Sequence, residues 1–170
     1  ITHQLELEEV VAQRTQELEE ANKKLLILVD RDPLTDLYNR RYAENKFAEL
    51  RDYCHRSGQA ITIAILDLDH FKQVNDTYGH AGGDAVLISF AQLLRNEITS
   101  PNIVGRIGGE EFLAILYLNE DQALEFCKKL IKKINSNLVN FDGTDIKISS
   151  SGGVAFSSET STSADLTNKA

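Results

Sequence analysis

Four acids stand where a folding chain has little use for them. Asp67 and Asp69 close an apolar run, Ala64-Ile65-Leu66-Asp67-Leu68-Asp69, and Glu110-Glu111 follow directly on Gly108-Gly109. If the segments carrying them are neighbours in a sheet, Asp67 and a turn glutamate converge on one edge. Converging carboxylates repel, and holding them ionised together calls for a cation. Magnesium suits them, as a hard ion that takes one or two carboxylates plus substrate phosphates. The chemistry such a pair serves is phosphoryl or nucleotidyl transfer: one ion activates an attacking hydroxyl while another neutralises charge on the phosphates. The plainer alternative is that Asp69 caps the next helix and the glutamates are solvated turn residues. No single acid decides between these; their combination favours the metal.

These acids need a sheet to carry them and helices to cover it. Ala60 to Leu68 is apolar and branched, the pattern of a buried strand. Its carboxyl end is where open α/β sheets place their ligands. Phe71 to Tyr78 reads as a short helix closed by Gly79, and Gly82-Gly83-Asp84 as the lead into a longer one from Ala85 to about Ile98. Ile103 to Ile107 and Phe112 to Leu118 read as a tight hairpin, with Gly108-Gly109 supplying the positive φ of its turn. Helices are expected from Arg40 to Arg56, ended by Ser57-Gly58, and from Asp121 to Ser136, with a last strand from Ile146 to Phe156. The alternation predicts an α/β (α+β) sandwich with an antiparallel hairpin in its sheet.

Ahead of this lies one long helix, read over residues 5 to 29 and rich in Glu, Gln, Leu and Lys. Leu7, Val11, Arg14, Leu18, Ala21, Leu25 and Leu28 alternate spacings of four and three, an a/d seam with Arg14 as its misfit. A two-stranded coiled coil is the favoured reading, and an amphipathic helix packed on its own domain the alternative. Pro33 turns Asp32 away from helical geometry. The expected organisation is therefore a dimerisation and signalling helix over 1–31 and a catalytic domain over 32–170.

Composition narrows the partners. Hydrophobic residues make up 42%, enough for a core, and the net charge of -8 argues against nucleic acid, whose backbone needs a basic stripe. No apolar run approaches the ~18 residues of a membrane span, and no signal peptide is visible. The chain holds no methionine, so a domain cut from a longer protein with an upstream sensor is expected. Cys54 and Cys127 fit no metal or redox spacing and read as ordinary thiols.

Three stretches carry a resemblance. Arg106-Ile107-Gly108-Gly109-Glu110-Glu111-Phe112 resembles the signature of the GGDEF family, the diguanylate cyclases, in its GGEEF form. Asp32-Pro33-Leu34-Thr35-Asp36-Leu37-Tyr38-Asn39-Arg40-Arg41 matches a second family stretch, and Asp67 to His80, continuing to Gly83-Asp84, a third. The resemblance implies a polymerase-palm and adenylyl-cyclase-like mixed sheet with flanking helices. It implies condensation of two GTP into cyclic di-GMP by a homodimer with one GTP per half-site, in the cytoplasm where GTP is found. A membrane anchor, if the parent protein has one, lies outside these residues.

By the same resemblance Asp67, Glu110 and the Leu68 carbonyl bind Mg2+, with Mn2+ as an alternative, and Glu111 joins Asp67 and Glu110 as a catalytic acid, its duty being at the metal site, in 3′-hydroxyl activation or in base contacts. Asn75 and Asp84 read the guanine edge, Lys72 and Arg106 hold phosphates, and Phe71, Gly108 and Gly109 line the nucleotide. The residue types agree: an amide both donates and accepts, and a carboxylate accepts from guanine N1–H and N2–H. Two departures stand out. Where many members carry an inhibitory Arg-x-x-Asp pair, this chain has Thr99-Ser100-Pro101-Asn102, so feedback through that site is expected to be weak or absent. The chain also stops at Ala170, within the motif that starts the family's last helix, which is expected to weaken GTP binding. The rival functions are a GGDEF domain that binds GTP or cyclic di-GMP without catalysis, a cyclase making a mixed guanine-adenine product, and a coiled-coil adaptor. Asp84 argues against the mixed product, and the intact acids against the others.

Overall fold

The computed structural model describes residues 2–156, and the chain divides into two compact units between Arg31 and Asp32. The expected start of a last helix lies outside the described residues. The first unit is a single helix, α1 (Thr2–Asp30). Val11, Leu18 and Leu25 of the predicted seam are exposed on it, each by more than half (56%, 64% and 57%). The misfit Arg14 pairs along its own helix with Glu17 at 2.8 Å.

The second unit is a sheet with helices on both faces. Its elements are β1 (Tyr38–Asn39), α2 (Arg40–Ser57), β2 (Thr62–Leu68), α3 (Phe71–Glu97), β3 (Ile103–Arg106), β4 (Glu111–Leu116), α4 (Glu120–Asn135), β5 (Leu138–Phe141), β6 (Thr144–Lys147) and β7 (Ser150–Phe156). The five-stranded sheet runs β1-β3-β4-β2-β7. Among the described residues only the short β1–β3 pair is parallel; the other pairs are antiparallel, so the mixed sheet falls on the α+β side of the expected class.

Side chains alternate across β2 and β4 and bury both faces. Ala64, Leu66, Leu68, Phe112, Ala114 and Leu116 share a core with α3 and α4. Ile63, Leu113 and Ile115 share the opposite core with Ala43, Phe47, Leu50 and Cys54 of α2. This two-sided burial explains why β2 reads as a continuous apolar run.

The helices begin and end on local chemistry. The Asn39 side chain accepts from Tyr42 N–H to cap α2, and Gly58 closes it in the left-handed region at φ 70°. A reciprocal Asn119/Gln122 capping box opens α4, with acids in its first turn and lysines in its last, as the helix dipole favours.

Four details differ from the sequence reading. Gly79 (φ 71°, ψ 176°) is non-helical and breaks α3 into two helical segments, as expected of a closing glycine, but Gly82-Gly83-Asp84 lie inside the second segment rather than ahead of it. β1 escapes a propensity reading because two residues have no periodicity. The expected single strand over 146–156 is two, and Ile146 belongs to a separate β5–β6 hairpin turned by Asp142 and Gly143, both at positive φ. Finally, Gly108 and Gly109 do not take positive φ; Gly58, Gly79 and Gly143 are the glycines that do among the described residues.

Candidate active site

Sheet register brings the acids together. β2 pairs with β4 so that Asp67 lies directly opposite Glu111. The Leu68 N–H donates to the Glu110 carbonyl at 3.2 Å, stitching the strand end to the β3–β4 turn. Asp67, Leu68, Glu110 and Glu111 thus share one end of the sheet, the convergence expected of the hairpin. Burial and the nearby carboxylates of Glu110, Glu111 and Asp69 hold the Asp67 carboxyl above its ordinary value. A cation relieves such repulsion.

Asp69 does not cap the next helix. His70 takes the cap position, in the left-handed region at φ 57° and with no side-chain bond. The Asp69 carboxylate accepts instead from the Ser151 hydroxyl at 2.7 Å, and its N–H donates to the Ser149 carbonyl at 2.9 Å.

The donors at this edge are all oxygens, the set a hard divalent cation prefers. Among the described residues no three His, Cys, Asp or Glu side chains form a ready-made metal cage. The arrangement therefore fits an ion held by one or two carboxylates and completed by substrate phosphates, as magnesium commonly is.

The turn itself is built around Arg106. Its Nε donates to the Gly108 carbonyl at 3.1 Å, and its Nη2 to the Gly109 carbonyl at 2.8 Å. Its Nη1 meets both Asp32 carboxylate oxygens, at 3.2 and 3.4 Å. Arg106 was expected to hold phosphate; here its donors face the turn and Asp32, because a planar guanidinium satisfies several acceptors at once. Burial raises the Asp32 carboxyl, but the hydroxyl and N–H of Thr35 and the Arg106 guanidinium outweigh it and hold the group below its ordinary value. Asp32 and Thr35 are the partners the sequence reading missed. The Asp-x-x-Thr spacing was the available signal, since such pairs close local turns.

The two turn glycines serve differently. A Cβ on Gly108 would stand 2.5 Å from the Glu111 carboxylate, whereas one on Gly109 would meet nothing within 4 Å. Gly108 leaves room for Glu111 and Gly109 leaves open space beside the turn.

A second group forms on α3. A Cβ on Gly83 would stand 2.0 Å from Asn75 Oδ1 and 3.2 Å from the Phe71 ring. The Asn75 amide and Phe71 therefore lie against the backbone just before Asp84, which is exposed. Lys72, in the first turn of α3, is also exposed. Asn102, in the window of the missing inhibitory pair, accepts from the Tyr117 N–H at 2.9 Å through its side chain and serves the turn between strands.

Comparison with known proteins agrees with this geometry. The family model described as "Diguanylate cyclase, GGDEF domain" matches residues 29–170. An uncharacterized signaling protein of Caulobacter vibrioides is 36% identical over 138 residues, 79% of this chain and 17% of that one. The diguanylate cyclase DgcP of Pseudomonas aeruginosa is 33% identical over 141 residues, 81% of this chain and 20% of that one. The chain thus spans about a fifth of the length of these curated relatives. The crystal structure of the coiled coil and GGDEF domain of DgcB from Caulobacter crescentus, in complex with c-di-GMP, superposes with a TM-score of 0.85 at 25% identity, covering 95% of this chain and 88% of that one. With the signature acids on one sheet edge and the family matched across most of its length, the chain belongs to the GGDEF-domain diguanylate cyclase family.

Proposed function

We propose that this chain condenses two GTP into cyclic di-GMP, releasing two pyrophosphates, as a homodimer with one GTP in each half-site. The register of Asp67 against Glu111 carries the reading, because it sets two acids and the Leu68 main chain on the edge bearing the open turn. Asp67, Glu110 and the Leu68 carbonyl hold Mg2+, with Mn2+ as a substitute. When bound, the ion neutralises phosphate charge and favours the ionised attacking hydroxyl.

Asn75 and Asp84 read the guanine, and Phe71, which like Asn75 lies against Gly83, lines the nucleotide. Lys72, from the start of α3, and Arg106, beside the turn it braces, hold the phosphates. Gly109 lets the nucleotide approach the turn backbone. Glu111 is the exposed carboxylate placed to accept the 3′-hydroxyl proton as that oxygen attacks the other GTP's α-phosphate.

Each half-site holds only half of the reactants, so two chains must meet. The exposed Val11, Leu18 and Leu25 of α1 support pairing through a coiled coil, which raises the effective concentration of one site at the other. Control by an upstream sensor in the longer protein would act through this helix. GTP use places the reaction in the cytoplasm. Without a charged pair at Thr99 and Asn102, product feedback through that turn is weak or absent.

The test is incubation with GTP and Mg2+, followed by chromatography of the products. Wild type is expected to make cyclic di-GMP, Glu110→Ala none, and Leu18→Glu with Leu25→Glu far less at dilute protein. A wild type that binds GTP or cyclic di-GMP yet makes no product would move the non-catalytic reading to first place. Turnover unchanged by the two charges would remove the role given to α1.

A further inference from the structure

The peptide joining Asp67 to Leu68 is held from both sides. Its N–H donates to the Glu110 carbonyl across the β3–β4 turn at 3.2 Å. Its carbonyl accepts from the Ser150 hydroxyl at 2.8 Å. Ser150 is a polar residue that is almost wholly buried, 4% exposed, at the first position of β7 opposite Leu68. Its own N–H donates to the side chain of Asn135, the last residue of α4, at 3.0 Å. Next to it, the Ser151 hydroxyl holds Asp69. A strand end normally frays, and a strand pair alone needs no buried hydroxyl here. The hydroxyl adds a bond to a carbonyl on the far side of the peptide from the turn, so the peptide plane cannot rotate without breaking a bond on one side or the other.

From this geometry we infer that Ser150, seated by Asn135, is a positioning residue for the metal edge: it fixes the peptide that follows the Asp67 side chain, while the Leu68 carbonyl lies in the next peptide, whose Asp69 N–H is held by the Ser149 carbonyl at 2.9 Å. The inference rests on the proposed metal site. The hydroxyl touches neither substrate nor ion; it acts by fixing the backbone that carries the Asp67 carboxylate, which a metal demanding near-ideal geometry rewards. Ser151 supports it from the other flank by drawing the Asp69 carboxylate onto β7, which leaves the metal edge to Asp67 and Glu110. The device joins α4, β7 and β2, elements distant in sequence, at the point where the acids meet.

The experiment titrates the full chain with Mn2+ in the presence of a non-hydrolysable GTP analogue, reading metal binding by electron paramagnetic resonance, so that turnover is not needed. Ser150→Ala is expected to weaken Mn2+ half-saturation about 5-fold, the scale of one lost hydrogen bond. Metal-free binding of the analogue should not change, and Ser150→Thr, which keeps the hydroxyl, should restore the metal. Melting curves check the fold. If Ser150→Ala does not fold, Asn135→Ala removes the seat of Ser150 at an exposed helix end and is expected to weaken Mn2+ in the same direction. Mn2+ binding as tight in the folded variant as in wild type would overturn the inference while leaving the metal site standing. Wild type that takes up no Mn2+ would overturn the metal site, and the inference with it.

Discussion

The Asp32–Arg106 pair offers the sharpest test of how the turn is held. Its side chains are only 19% and 15% exposed, so the value of a surface ion pair, near zero, is the wrong scale. Asp32→Asn keeps an oxygen for the two Thr35 bonds and loses the charge that faces the guanidinium. A hydrogen bond to a charged group is worth about 1.5–3 kcal/mol, and partial exposure puts this one near the lower end, at about 1.5 kcal/mol. Arg106→Ala also removes the bonds to the Gly108 and Gly109 carbonyls, of which the Gly109 bond is exposed, and should cost about 3 kcal/mol.

Urea unfolding of the two single variants and the double variant gives the pair's coupling, expected at about 1–1.5 kcal/mol. The pH dependence supplies a second check. The Asp32 carboxyl is held below its ordinary value of 3.8, so its charge contributes stability in full above that value and loses it as the pH falls through the lowered one. The stability gap between wild type and Asp32→Asn should therefore close only as the pH falls through that lowered value. A gap between them that stays constant from neutral pH into acid, or coupling near zero, would refute the reasoning.

Two further outcomes follow from the site. Gly83→Ala would force the Asn75 amide aside, since the new Cβ falls 2.0 Å from its oxygen. GTP half-saturation should rise about 10-fold, roughly the 1.4 kcal/mol of one well-placed polar contact. Stability should change little, because alanine's gain in helix propensity, about 1 kcal/mol, opposes the crowding; binding as tight as wild type by calorimetry would count against Asn75. Asp67 has the opposite sign to Asp32: its carboxyl is raised, so its ionised form destabilises the metal-free fold as pH climbs above 3.8. Asp67→Asn is expected to melt higher than wild type at neutral pH in EDTA, to match it in strong acid, and to lose the rise in melting temperature that Mg2+ gives wild type. A variant that still gains stability from Mg2+ would exclude Asp67 as a ligand.

How much of this was legible beforehand depends on the range of the forces involved. Caps and closing glycines at Asn119 and Gly58 act within a turn of helix, and α2, α4 and the β3–β4 hairpin come out close to their expected bounds. Gly79 is legible as the break in α3, whereas Gly82-Gly83-Asp84, a glycine pair that reads as a lead-in, falls inside the second helical segment. The β5–β6 hairpin was missed although its Asp142-Gly143 turn is a recognised signal, because the apolar pattern from Ile146 onward runs on into β7.

The site divides in the same way. Residue types at short spacing, the glycine pair before Glu110-Glu111 and the acids ending an apolar run, were enough by themselves to name oxygen-donor chemistry and the family. Which acid faces which was decided by strand register, a property of two segments more than forty residues apart that places Asp67 across from Glu111. Asp69 is drawn to Ser151 rather than to the next helix, and Arg106 bonds Asp32, partners 82 and 74 residues away in the chain. A side chain's type sets the bonds it can make, and local sequence can be read for that. The bonds it does make depend on which distant groups packing brings within about 3 Å, and that is settled only when the sheet and its two cores have formed.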